Sequence, residues 1–236
     1  NVRLLEIDTQ TRLEAGATRI NSGGQQEEAA VVGGVTLDDG EFIYVGGDSL
    51  PIANAVKNGQ FKQIGQWYHT DRWLSTQAPA NFILDDGAGR LRQFGRMAIF
   101  KDMLGRQAGS RIWRALRNAM DGVRTVTNEQ RRLEIIVVGS FAGGTGSGMF
   151  IDVALVLRLL AKQLGIHYVL RGFFALPSVF TNSPDAQMRA RSFAAWRELN
   201  RFMVVDPDFT MPSIEYVQDD PEFRINPESR LFDGRS

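Results

Sequence analysis

The sequence predicts an α/β domain built on a mostly parallel sheet flanked by helices, and three observations carry that reading. The apolar run 135–138 passes through a glycine-rich turn, 143–148, into an apolar helical pattern over 149–164. A second apolar run, 168–176, follows and closes at Pro177, completing a β-α-β unit whose crossover is expected to be right-handed. With 236 residues, 43% of them hydrophobic, the chain is long enough for one such domain with a substantial core.

Composition narrows the functional classes. Lys+Arg and Asp+Glu are both 27, so charge implies no polyanion partner and no nucleic acid is expected. Cysteine is absent, which excludes disulfides and thiolate-bound metals, and His69 and His167 are too few for a histidine-rich metal site. The start shows no signal peptide or lipidation motif. Segment 149–164 is shorter than the roughly 20 residues of a membrane span. It also carries Asp152, Arg158 and Lys162, so it reads as a buried helix and a cytoplasmic location is the simplest expectation. The chain begins at Asn1 in what reads as a strand and stops at Ser236 without an evident end, as a fragment would.

In chain order, 2–7 reads as a short strand ending in Asp8-Thr9-Gln10. An acidic residue there either faces a ligand at the carboxyl end of a sheet or caps a following helix. Residues 21–28 are polar and read as a loop; 35–37 and 42–45 read as a hairpin around Gly40. In 51–78, Trp67, Tyr68 and Trp73 stand among Lys57, Lys62 and Arg72. So few cations favour packing of a short helical insertion over stacking of single-stranded bases. Gly87-Ala88-Gly89, followed by Arg90, Arg92 and Arg96 and a helix from 97, reads as a second anion-binding turn. Arg90 and Arg96 are its candidate phosphate neighbours, against the plainer reading of arginines on a solvated helix start.

A helix over 111–123 spaces Ile112, Leu116 and Met120, and a strand follows over 133–138. The helix over 149–164 is expected to stop at Gly165, with Asp152 and Lys162 suiting its dipole. A last helix, 187–203, puts Met188, Ala195, Leu199 and Phe202 on one face. Residues 207–236, with four prolines and many charges, read as irregular and peripheral to a domain spanning 1–206.

The chemistry concentrates in the turn. A buried strand, a glycine-rich turn and a helix N-terminus are the parts of a phosphate cradle, and four glycines within 143–148 exceed what an ordinary strand-to-helix turn needs. The P-loop pattern fails because Thr145-Gly146 stands where Lys-Ser/Thr is required. The dinucleotide pattern fails at Met149, and a G-x-S-x-G elbow would need glycine at Thr145.

Ala142-Gly143-Gly144-Thr145-Gly146-Ser147-Gly148 resembles the tubulin and FtsZ signature loop, G-G-G-T-G-[ST]-G, with Ala142 in place of the first glycine. The likeness is strongest to bacterial tubulin-like proteins. It implies a Rossmann-like tubulin/FtsZ nucleotide-binding domain that takes GTP/GDP and Mg2+, self-associates head to tail and hydrolyses GTP at the subunit interface. It also implies a first strand with a GxGGxG loop before Asn1, and a central helix with an acidic hydrolytic loop after Ser236.

By the same resemblance, Asp8 lies near the metal, Asp8-Thr9-Gln10 being similar to an "NTDAQ"-type run. Gly87, Ala88, Gly89 and Arg90 contact the phosphates from the side opposite the signature loop, and the loop at Pro177 lies by the ribose. The run 191–199 is similar to "NAYAALREL", which places Arg191 where the family has a nucleotide-binding Asn. No Asp-x-x-Asp run follows a helix, so no catalytic residue is assigned. The alternative is a tubulin-like scaffold or regulatory domain that binds nucleotide without polymerising or hydrolysing it. A dinucleotide-dependent oxidoreductase is separated from both by nucleotide preference.

Overall fold

The computed structural model describes residues 2–9, 13–20, 26–32, 35–37, 40–46, 56, 58–59, 61–68, 88, 91–124, 132–180, 185–204, 213–226 and 230–233. Strand β1 (Glu6–Asp8) pairs in parallel with β5 (Phe42–Tyr44), setting Ile7 opposite Ile43. Between them, β2 (Leu13–Ile20), β3 (Gln26–Val32) and β4 (Val35–Thr36) form an antiparallel sheet in that order.

Three expectations change here. The first strand is three residues long and ends at Asp8 itself, and the next element is a strand, so Asp8 caps no helix. Residues 26–28, the end of the stretch read as loop, instead open the strand Gln26–Val32 and pair with Thr18, Arg19 and Ile20 of β2. Segments 35–37 and 42–45 do not form a hairpin: β4 pairs back onto β3, while β5 buries Ile43 beside β1.

The helices are α1 (Lys62–Gly65), α2 (Arg92–Met103), α3 (Arg106–Gly109), α4 (Arg111–Arg124), α5 (Thr145–Leu164) and α6 (Ala186–Met203). Near α1, Trp67 and Tyr68 pack on Phe100 and Phe94, as the packing reading expected; Trp73 lies outside the described residues. Strand β6 (Leu133–Ser140) runs parallel to β7 (Tyr168–Ala175) in unbroken register, from Leu133 opposite Tyr168 to Ser140 opposite Ala175. Helix α5 connects them, so the β-α-β unit is present and the mixed architecture is α/β.

Helix α5 is apolar on nearly every side, which makes it the central helix of the core. It ends in a left-handed Gly165, φ 63°, whose neighbour Ile166 returns its N–H to Ala161 O at 2.9 Å. It begins at Thr145, four residues earlier than expected, so residues 145–148 of the glycine-rich turn are the first turn of the helix. Helix α2 likewise starts at Arg92 rather than at 97. The two helices meet at their backbones: a Cβ on Gly95 would sit 2.5 Å from Gly144 O, and one on Gly148 would overlap Arg92 O. Only glycine permits that approach.

The C-terminal segment is not peripheral. Strands β8 (Ile214–Glu215) and β9 (Arg224–Ile225) form a hairpin, and Tyr216, Phe223, Leu231 and Phe232 are buried in the main core. Phe223 packs on Trp113, Tyr216 on Phe100 and Phe232 on Phe174, so contacts with distant helices and strands outweigh the local proline content.

Between β1 and β6 lies an apolar cavity of about 700 Å³, lined by Leu5, Ile7, Ile135, Val137 and Val153 and reaching Gly139 and Gly146 at one end. Among the described residues β1 pairs only with β5, and β6 only with β7.

Candidate functional site

The site forms where β6 runs out. Phe141 N donates to Ala175 O at 3.0 Å, extending the parallel ladder by one residue, and Ala142 N turns back to Ser140 Oγ at 3.0 Å. Phe141 stacks on Phe174 with centroids 4.8 Å apart, and Ser192 of α6 donates its hydroxyl to Phe141 O at 3.0 Å. The entry to the turn is therefore braced by β7 and α6. The turn itself is braced by Ser147, fully buried, whose hydroxyl donates to Gly143 O.

The backbone donors of the turn are uncommitted. Gly148 N makes the first intrahelical bond, to Gly144 O at 3.0 Å, and α5 has no side-chain cap. The N–H groups of Gly143, Gly144, Thr145, Gly146 and Ser147 meet no acceptor among the described residues. Five successive free donors at the positive end of a 20-residue helix favour an anion. A Cβ at Gly143 would meet nothing within 4 Å, so that side of the turn is open.

Strand β1 delivers Asp8 and Thr9 to the same place. Thr9 Oγ1 and Thr145 Oγ1 are 2.7 Å apart, and Thr9 N donates to Asp8 Oδ1 at 2.7 Å. Both residues are buried. Mg2+ prefers hard oxygens, with one or two carboxylates completed by substrate phosphate. The Asp8 carboxylate, next in the chain to the Thr9 that meets Thr145, is a hard-oxygen donor of that kind. Among the described residues no group of three or more His, Asp or Glu forms a metal site by itself.

The remaining expected residues divide. Ala88 is buried, and its carbonyl accepts from Leu91 N at 2.8 Å, forming the turn that enters α2; Gly87, Gly89 and Arg90 lie outside the described residues. Pro177 opens a short 3-10 turn (Pro177–Val179) directly after β7. Arg191 sits on α6 next to Ser192, and its Nε is buried with no hydrogen-bond partner among the described residues.

Arg96 is not free to meet a phosphate. Its Nε donates to Asp152 Oδ2 at 3.2 Å, and its guanidinium lies 4.8 Å over the ring of Trp67. Tyr216 donates its hydroxyl to the other carboxylate oxygen, Asp152 Oδ1, at 2.7 Å. Asp152, near the start of α5, is therefore a buried acceptor of two side-chain hydrogen bonds. Burial pushes its carboxyl above the usual carboxylate range, opposed by Arg96 and the Tyr216 hydroxyl. Burial and the charge of Asp152 push the Tyr216 phenol well above its ordinary value.

The arginine that does meet the cradle is Arg92, whose Nε donates to Ser147 O at 3.1 Å while its Nη atoms grip Glu198 of α6. Sequence reasoning assigned no such role to Thr9, Arg92 or Tyr216. A lone carboxylate among apolar neighbours was the one available signal for Asp152.

A family model described as tubulin like matches residues 5–232. The chain belongs to the tubulin-like family. No curated protein and no solved structure gives a match to it. The tubulin-like span takes in β1, the cradle and the C-terminal hairpin alike, in keeping with the burial of Tyr216 and Phe223 in the common core. No helix among the described residues of this tubulin-like chain is long and apolar enough to cross a membrane.

Proposed function

We propose that this tubulin-like chain binds guanine nucleotide, GTP or GDP with Mg2+, at the turn 142–148, and that it self-associates head to tail. The observation that carries the reading is the run of five uncommitted N–H groups from Gly143 to Ser147 at the start of α5. In this reading the turn would wrap the phosphates and Asp8 would help hold the metal. Pro177 and the unpartnered Nε of Arg191 serve the ribose or phosphate side. Bound Mg2+ neutralises phosphate charge; Thr9 and Thr145 orient the end of β1 against the cradle.

Self-association draws support from exposed apolar side chains. Val138 and Phe173 are cross-strand neighbours, Phe193 and Trp196 stack at 6.1 Å, and each is at least half exposed. A heterologous contact between such faces extends into a filament. GTP hydrolysis would then arise where subunits meet. The second reading, a nucleotide-binding scaffold without assembly or hydrolysis, is favoured by Arg191 in place of the family's Asn.

Calorimetric titration with GTP, ATP and NAD under one magnesium and salt condition tests the site. GTP binding that is lost in Gly144→Asp, which sets a carboxylate in the anion cradle, is the expected result. Unchanged affinity in that variant overturns the assignment. Pelleting that depends on GTP and protein concentration separates the assembling protein from the scaffold.

A further inference from the structure

Asp152 is the meeting point of three segments that are far apart in the chain. It lies on α5 about one turn beyond the cradle, accepts from Arg96 on α2 and accepts from Tyr216 at the edge of the C-terminal hairpin. Helix α2 is in turn locked to the cradle by the Gly95 and Gly148 backbone contacts and by Arg92 on Ser147 O.

The hairpin has further anchors in the core, where Tyr216 packs on Phe100 and Val217 and Ile225 are buried. Tyr216 O accepts from Gln63 at 3.2 Å, Phe223 packs on Trp113, and the tip is tied by the exposed pairs Arg106–Asp220 and Gln107–Glu222. The two described non-glycine residues with positive φ, Arg106 at 54° and Asp219 at 58°, both lie at that tip contact. A buried carboxylate is tolerated only while its partners stay in place. Displacing the hairpin removes the partner of Asp152 Oδ1 and leaves a buried acceptor on the helix that presents the cradle.

We propose that nucleotide binding at the cradle and the seating of the 214–225 hairpin are coupled through the Tyr216–Asp152–Arg96 contact. This rests on the nucleotide reading above. Tyr216 is a positioning residue: it acts on the cradle through Asp152 and α5. Coupling of this kind is reciprocal. A seated hairpin tightens nucleotide binding, and bound nucleotide holds the hairpin in its seat.

The test is hydrogen exchange by mass spectrometry on the full chain, with and without GTP and magnesium, in the wild type, Tyr216→Phe and Asp220→Ala. GTP is expected to slow exchange at 143–148 and also at 214–225 in the wild type. In Tyr216→Phe, GTP affinity is expected to fall about tenfold, a typical coupling, with protection kept at 143–148 and lost at 214–225. Asp220→Ala leaves the core contact intact and loosens the tip; it is expected to speed hairpin exchange and weaken GTP binding, and it decides the matter if Tyr216→Phe does not fold. Protection of 143–148 without any change at 214–225, or wild-type GTP affinity in the loosened variant, overturns the coupling alone. No protection at 143–148 in the wild type overturns the nucleotide reading together with it.

Discussion

Thr9 and Thr145, 136 residues apart, share a 2.7 Å hydroxyl–hydroxyl hydrogen bond that joins the end of β1 to the first residue of α5. It is a direct side-chain link between the end of β1 and the turn, and it holds the residue after Asp8 against the start of α5. Replacing either threonine with valine is expected to cost about 1 kcal/mol, the net worth of one such bond. The double variant should cost less than the sum of the two, because both singles remove the same bond. Urea unfolding of the four proteins checks this, and additive losses would show that the bond contributes nothing.

Two glycines of the turn should respond in opposite ways. Gly148→Ala drives a Cβ into Arg92 O and must separate α2 from α5, at a cost of about 1–3 kcal/mol. Gly143→Ala meets open space and should leave the melting temperature within a degree or two, so any loss of nucleotide affinity there reports on the ligand. Thermal melts and GTP titration of both variants distinguish the structural glycine from the ligand-facing one.

At the other end of α5, Gly165→Ala places a side chain at φ 63° and is expected to lose about 1 kcal/mol with no effect on ligand binding. Equilibrium unfolding measures it.

Asp233 carries a pH signature. Burial alone would raise its carboxyl, but the Leu170 N–H at 2.7 Å and the Arg158 guanidinium at 2.9 Å hold it below the usual carboxylate value. A depressed acid contributes stability that is present above its unfolded value, about 3.9, and is lost as pH falls through its folded value. Wild-type stability should therefore fall more steeply below pH about 4 than that of Asp233→Asn. Parallel acid limbs in denaturation at successive pH values would remove Asp233 from the account.

The β6-α5-β7 unit and the glycine-rich turn within it were legible because their signals are local: an apolar run, glycines at close spacing, an apolar helical stretch and a terminal Gly165 all lie within 133–176. Residues 26–28 were misread as loop because a strand in a small antiparallel sheet tolerates Gln26, Glu27 and Glu28, and nothing in those residues names the partner strand. The segment after 207 was misread for a related reason. Its prolines and charges are what composition registers, while Tyr216, Phe223, Leu231 and Phe232 declare themselves only on meeting α2, α4, α5 and β7.

The sequence by itself determined the parallel β-α-β unit, the glycine-rich turn that enters α5 and the family, since each depends on residue types at short spacing. Tertiary structure alone decided which groups the turn can use. It brought Thr9 to Thr145, put Arg92 on Ser147 O, and withdrew Arg96 and Asp152 into a buried contact with Tyr216. The reason is one of range. Helix starts and glycine turns follow from backbone preferences over a few residues, whereas the partner of a buried charge is chosen by whichever distant group the packed core brings within hydrogen-bonding distance.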